Sequence, residues 1–407
     1  MGCCDLIISS KCFFNGFMKA VNAYIYIDAL SWDIVSAPDF MPGAFGQRFR
    51  VKPQFGYSSA AISSVLSGEP PSKHGVFCDF YFNPAKSPFK NFRYIKYLFG
   101  AGLHPRCLFN REWTRKKMSQ IFALGHGYSG RFSLHSVPFD CLAYFDSVQN
   151  RDFFVSRGLS PAENIRDVLE ESGINFYMSD WRKTPEADIS SALRSIENGA
   201  EFLLVCDIGL GKFLRENAGN QAAVSARLKS CSENILKISE ALKSSGRPYK
   251  LSVMSGFGML PCLGSVDLKK AVSGLNLKYG KDYVAFYEPT MARFWYMNES
   301  SREKVRAELS NPKYPGSFIS GAQKSSYGIS HDGGKFGDDI FLLNDGFQVS
   351  PSYISRKPFK AVCGYSPESE GMSASFLSTC KPVFIPKTVA DFFKLMKSDV
   401  EESVRDL

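Results

Sequence analysis

The chain has 407 residues, 44% of them hydrophobic, and a formal net charge of +9, so it exceeds one small core and has ample apolar material for a large α/β domain with an inserted lobe. No apolar run approaches the length needed to cross a bilayer, and the first residues lack a basic-then-apolar signal pattern, so a cytoplasmic location is expected. Eleven cysteines, an odd number without paired short spacing, exclude a disulfide framework, and the absence of any Cys-x-x-Cys or His-x-x-x-His pair leaves an independent zinc site without support.

Residues 1–20 read as an unstructured start. Met1-Gly2-Cys3-Cys4 hints at acylation, but Leu6 stands where a myristoylation signal wants Ser or Thr. The apolar run Ala23-Tyr24-Ile25-Tyr26-Ile27 is a strand that ends in a carboxylate, Asp28. Next comes the stretch from Gly56 to Gly75, in which Ser58 and Ser59 open a short helix striped by Ile62, Val65 and Leu66, and Gly68 with Pro70-Pro71 breaks it. A helix start aims unpaired N–H groups and the positive end of the dipole at one point, which suits an anion. The plainer reading of the same residues is a serine N-cap on a core helix.

Residues 78–158 differ from their flanks in dense aromatics, among them Phe80, Tyr81, Phe82, Phe89, Phe92, Tyr94, Tyr97 and Phe99. Between Lys86 and Arg131 ten basic residues (Lys86, Lys90, Arg93, Lys96, Arg106, Arg111, Arg115, Lys116, Lys117, Arg131) face one acid, Glu112, so this span carries the whole net charge of +9. Such a surface offers cations to an anionic partner, or serves only as a solvated face.

After the lobe the chain turns regular. Ser160-Pro161-Ala162-Glu163 reads as a capping box opening a helix through Ile165, Val168 and Leu169 that Gly173 ends. Strands are expected at 174–178, 202–206 and 251–254, and a helix with Val224, Leu228, Cys231, Ile235, Ile238 and Leu242 on one face precedes the last of them. The alternation predicts an α/β/α sandwich around a mainly parallel sheet, with ligands gathering beyond the carboxyl ends of the strands. Asp28, Asp207 and Ser255 to Phe257 each fall just past such an end, as does Asp180, which reads as a turn aspartate. Further on come an aromatic, strand-like stretch at 282–297, a charged helix at 301–309, His331 in a glycine-rich loop, and a closing amphipathic helix around Val389, Phe392, Phe393 and Met396.

The strand ending in Asp28 and the segment Ser67-Gly68-Glu69-Pro70-Pro71-Ser72-Lys73-His74-Gly75 together resemble the alkaline phosphatase superfamily, in its type I phosphodiesterase and nucleotide pyrophosphatase branch. The resemblance places Ser58 in the nucleophile's position and Asp28 in that of a metal-binding aspartate. It extends through the late strand pair between Phe336 and Phe347 to Cys363-Gly364-Tyr365, and so covers the chain. It implies a core of 21–77 and 159–407 with residues 78–158 as a cap lobe over the site.

Between these points the family's motifs match in outline and fail in chemistry. Ser255-Gly256-Phe257-Gly258-Met259 stands where the family has Ser-Asp-His-Gly-Met, so Gly256 and Phe257 replace two metal ligands. Where the family has an Asp followed four residues later by a His, the chain offers Asp207 with Gly211 or, in another register, Gly209 with Phe213, neither supplying the histidine, and the last histidine falls on Cys363. Two carboxylates and a serine do not hold two zinc ions, which prefer closed sets of nitrogen or sulfur ligands. No cofactor is expected, and zinc or another divalent metal would need ligands supplied in a non-standard way.

Three functions stay open. The chain binds a phosphate-bearing small molecule, or a glycan or lipid phosphate, through Ser58, Ser59 and the basic residues Arg115, Lys116 and Lys117, without two-metal hydrolysis. It is a hydrolase or transferase of a sugar, lipid or nucleotide phosphate whose Ser58 is activated by Lys, Arg or His. Or it is an interaction module whose basic lobe binds a polyanion.

Overall fold

A six-stranded sheet runs in the order Gln47–Val51, Ala374–Ser378, Tyr249–Met254, Val21–Ile27, Phe202–Asp207, Phe176–Met178. The last four pair in parallel, while Ala374–Ser378 runs against both of its neighbours. The computed structural model describes residues 19–94 and 111–405. The start of the chain up to residue 18, and Lys96, Tyr97, Phe99 and Arg106 of the lobe, lie outside the described residues.

Val21–Ile27 is buried along its whole length, as a parallel strand covered on both faces must be. Its side chains alternate between faces. Val21, Ala23, Ile25 and Ile27 pack with Ile189, Ala192 and Ile196 of one helix (Pro185–Glu197) and with Cys231, Ile235, Ile238 and Leu242 of another (Gln221–Ser244). Tyr24 and Tyr26 face the opposite layer, with Ile62, Val65 and Leu66 of Ser58–Ser67, Val168 and Leu169 of Ile165–Ser172, and Phe392 and Met396 of Asp391–Arg405. A period of two in the strand and steps of three and four in the helices thus build the three layers.

The box that opens Ile165–Ser172 is not the expected one. Asn164 is the N-cap: its side chain accepts from the N–H groups of Arg166 and Asp167, and the Asp167 carboxylate returns to the Asn164 N–H at 2.9 Å. Glu163 is directed elsewhere, to Lys397 at 2.8 Å, so Ser160 to Glu163 lie in the turn before the helix.

A third cluster gathers the aromatic stretch. Phe80, Phe89, Phe122, Leu134 and Phe145 pack with Phe286, Phe294, Trp295 and Phe341, which come from a second sheet ordered Tyr283–Tyr287, Met291–Tyr296, Asp339–Leu343, Gly316–Phe318. Arg293 ties this cluster together. It is fully buried, pairs with Glu288 at 2.6 Å and donates to the Phe80 carbonyl at 2.8 Å. The late strands do not pair with each other: Asp339–Leu343 belongs to this sheet, and Phe347–Val349 runs parallel to Gly264–Val266. No helix among the described residues is long and apolar enough to cross a membrane.

Candidate functional site

The Ser58–Ser67 helix begins at Ser58 itself, because its N-cap is Tyr57, whose side chain makes no capping bond. Instead the Tyr57 hydroxyl bonds the Thr290 hydroxyl at 2.9 Å and accepts from the Thr290 N–H. The first intrahelical bond runs from the Ala61 N–H to the Tyr57 carbonyl. The N–H groups of Ser58, Ser59 and Ala60 therefore precede the ladder. Ser58 is half-buried, and Ser59 is buried with a hydroxyl that makes no hydrogen bond among the described residues.

At the end of the Val21–Ile27 strand, the buried Asp28 accepts the Gly211 N–H through Oδ1 at 2.9 Å. Burial pushes the Asp28 carboxyl up to about 7; Asp207 adds to this, and the Gly211 N–H and the charges of Arg215 and Arg131 oppose it. Asp207, one strand over, is fully engaged: Oδ2 accepts from Arg227 at 2.6 Å and Oδ1 from the Gly209 N–H at 2.9 Å.

Gly211 and Gly256 are tightly enclosed. A Cβ on Gly211 would lie 2.8 Å from Asp28 Oδ2, and one on Gly256 would lie 2.6 Å from the Tyr26 hydroxyl and 2.8 Å from Ala61 Cβ. Tyr26 thus occupies the space a side chain at Gly256 would need. Its hydroxyl is fully buried and has no hydrogen-bond partner among the described residues. Burial first, with Asp28, Cys206 and Cys363 adding, raises its pKa well above the ordinary tyrosine value. Phe257 and Cys363 are buried, the first in the apolar core and the second beside Arg215.

Three further side chains meet here without having been legible in the sequence. Asp79, just before the Phe80–Phe82 strand, pairs with His135 Nε2 at 3.2 Å. Burial works to raise its pKa, but His135 and Arg215 outweigh it and hold Asp79 below the usual carboxylate range; the Ser59 hydroxyl acts in the same sense from outside hydrogen-bond geometry. His135 has φ +46, in the left-handed region that non-glycine residues seldom adopt. Arg215 is half-buried on the Leu210–Asn217 helix, four residues beyond Gly211 and on the same helical face.

The basic residues of the lobe divide. Arg115 is buried, donates to the Val137 carbonyl at 2.8 Å and stacks over Phe139, so it packs within the lobe and does not offer its charge to a ligand in solvent. Lys116 and Lys117 are exposed on the same helix, Glu112–Gly125. Asp180 supports its own turn by accepting from the Arg182 N–H at 3.0 Å, and the exposed His331 lies edge-on to Phe336.

These donors do not fit a pair of zinc ions. Asp207 has both oxygens engaged, Asp28 has one, the remaining positions are glycine, phenylalanine and a lone thiol, and Tyr26 fills part of the space. Among the described residues no three His, Cys, Asp or Glu side chains converge in an arrangement able to hold a metal ion.

No family model matches the sequence, and no curated protein matches it either. In three dimensions the chain is similar to murine ectonucleotide pyrophosphatase/phosphodiesterase 5 at a TM-score of 0.64 and 11% identity, over 94% of this chain and 95% of that one. The human counterpart gives 0.63 at 10% identity over the same shares. An inactive variant of the murine protein in complex with AMP gives 0.64 at 11% identity, again over 94% and 95%. The chain therefore has the alkaline phosphatase-like fold of the nucleotide pyrophosphatases over nearly its full length.

Proposed function

We propose that the chain is a phosphodiesterase-like protein that holds a phosphate-bearing ligand at the start of the Ser58–Ser67 helix and does not carry out two-zinc hydrolysis. One observation carries this reading. The first N–H groups of that helix precede its ladder, its Ser59 hydroxyl is buried without a partner among the described residues, and its Ala61 and the likewise unpartnered Tyr26 hydroxyl both abut Gly256 at the strand ends. Helix-terminus binding of an anion needs backbone donors and no metal, so it outlives the loss of the ligands. The AMP bound by the structurally similar murine protein makes a nucleotide the first ligand to try. Phosphorus NMR titration with inorganic phosphate and AMP, in the presence of a chelator, should show saturable broadening that weakens in Ser59→Ala. Zinc-stimulated turnover of a nitrophenyl diester at roughly 1 to 1,000 per second, abolished in Ser58→Ala, would overturn the reading.

The Asp79–His135 pair favours a second reading, a serine-based hydrolase or transferase. A carboxylate that orients an imidazole is the usual support of a general base. In such a step the Ser58 Oγ–P bond forms as the ester P–O bond breaks, and the serine proton passes through His135 to the leaving alkoxide. Turnover of the same diester in chelator, lost in both Ser58→Ala and His135→Gln, would establish this reading in place of the first.

A further inference from the structure

Two carboxylates of the site, Asp207 and Asp79, have basic partners, and the nearby basic side chains are not used to the same extent. Asp207 has Arg227 at 2.6 Å, and Asp79 has His135 at 3.2 Å. Arg215 is different. Among the described residues its guanidinium has no carboxylate within ion-pair distance, although it is half-buried and its charge reaches Asp28 and Asp79 and stands beside the Cys363 thiol.

Its position is held from two sides. The Gly211 N–H fixes the start of its helix on Asp28 at 2.9 Å, and the Arg215 carbonyl accepts the Lys360 N–H at 2.7 Å, which docks the helix against the segment leading to Cys363. The Phe359 ring lies 5.6 Å from Arg215 Cζ and supports the side chain. A guanidinium carried on a helix fixed in this way, with its donors unspent on a carboxylate, presents a planar fork that matches two phosphoryl oxygens.

We infer that Arg215 supplies the positive charge that metal ions supply in the related enzymes, and that its guanidinium receives the phosphoryl oxygens of the ligand. This rests on the reading that the site binds a phosphate-bearing ligand. It accounts for two features together: the glycine at position 211, whose missing side chain lets the helix approach Asp28, and the arginine one turn later. The shared chemistry is a phosphoryl group, whether free or on a nucleoside, so inorganic phosphate and AMP are the two probes.

The test is calorimetric titration of the full chain with each probe, with chelator and with added zinc. In chelator the wild type should bind, zinc should add nothing, and Arg215→Ala should weaken binding by about 10- to 100-fold, the worth of one or two charge-assisted hydrogen bonds. Arg215→Lys, which keeps the charge and loses the fork, should fall between them; it also serves if the alanine variant fails to fold. Parallel losses for both probes place the contact on the phosphoryl group, whereas a loss for AMP alone would overturn the assignment. Unchanged affinity in both variants would overturn the inference and leave the anion site standing. Binding by the wild type only when zinc is added would overturn the inference as well, and no binding of either probe under any condition would overturn the anion site itself.

Discussion

The stretch from Gly56 to Gly75 and the segments around Gly211, Gly256 and Cys363 both lie against the carboxyl ends of the central strands, and their polar groups are satisfied in different ways. In the first, the groups at the end of the helix are satisfied locally, although the Ser59 and Ser63 hydroxyls at its start and middle have no partner among the described residues. His74 Nε2 bonds the Ser64 hydroxyl at 3.1 Å, the Val76 N–H donates to His74 Nδ1 at 3.2 Å, and Gly68, at φ +70, ends the helix with its N–H on the Ser64 carbonyl. In the second, protein atoms lie against one another: Tyr26 against Gly256, Arg227 on Asp207, Arg215 beside Cys363. The residues that build the helix are thus separable from those at the strand ends, so one fold can carry different groups at its site.

The largest expected effect tests the first region. His74 is buried, and its replacement by alanine removes two internal hydrogen bonds and leaves a cavity, at a cost of about 2–4 kcal/mol. Burial, with Lys335 adding, depresses its pKa from 6.5 to about 3. Between those values the unfolded chain binds the proton and the folded chain does not, so this residue's share of stability is complete above pH 6.5 and is lost as pH falls toward 3. Urea denaturation of the wild type and of His74→Gln from pH 7 to 4 should show a fall in midpoint that is shallower in the variant. Equal slopes would remove His74 from the account.

The next effect tests the packing around Gly256. Gly256→Ala places a Cβ 2.6 Å from the Tyr26 hydroxyl, an overpacking that costs about 1–3 kcal/mol. In a Tyr26→Phe background the penalty should shrink, because the clashing and unpartnered hydroxyl is gone. Gly256→Asp should bring no gain in zinc content on metal analysis. A stable aspartate variant that retains zinc would mean that the site is only masked.

A comparable or smaller loss is expected for Arg227→Ala, which strips Asp207 of a partner at 2.6 Å where both side chains are less than one-fifth exposed. Losing a hydrogen bond to a charged group costs about 1–3 kcal/mol. Thermal melts with and without zinc sharpen the comparison: if the ion restores the stability of Arg227→Ala, then the arginine occupies a place that a metal can still take.

The sheet was legible because its strands are apolar runs between helices whose buried residues step by three and four, as in Cys231, Ile235, Ile238 and Leu242. The capping box was misplaced because Ser160-Pro161-Ala162-Glu163 and Asn164 to Asp167 carry equivalent local signals, and contacts the sequence does not show separate them: Glu163 goes to Lys397, and the Asn164 amide to the Val155 carbonyl. Asp79, His135 and Arg215 were missed because no spacing joins them; the fold alone brings them together. Arg115 was grouped with its basic neighbours, although it shares a helical face with Ser119 and Phe122, all three buried, which is a signal the sequence did carry.

That division of the lobe yields the smallest expected effect. Lys116 and Lys117 are exposed, so reversing both to glutamate should move the stability of the chain by no more than about 0.5 kcal/mol. The same change lowers the net charge by four and acts over a Debye length of about 8 Å at physiological salt. If the lobe meets a polyanion, heparin retention of the double variant should fall, and the difference from the wild type should close as salt rises. If the proposed anion site rests on Arg215 and the helix start, and not on the outer face of the Glu112–Gly125 helix, phosphate and AMP affinity should stay unchanged. A loss of AMP affinity in the double variant would carry the lobe's charge into the site, and retention insensitive to the change would leave these lysines as a solvated face.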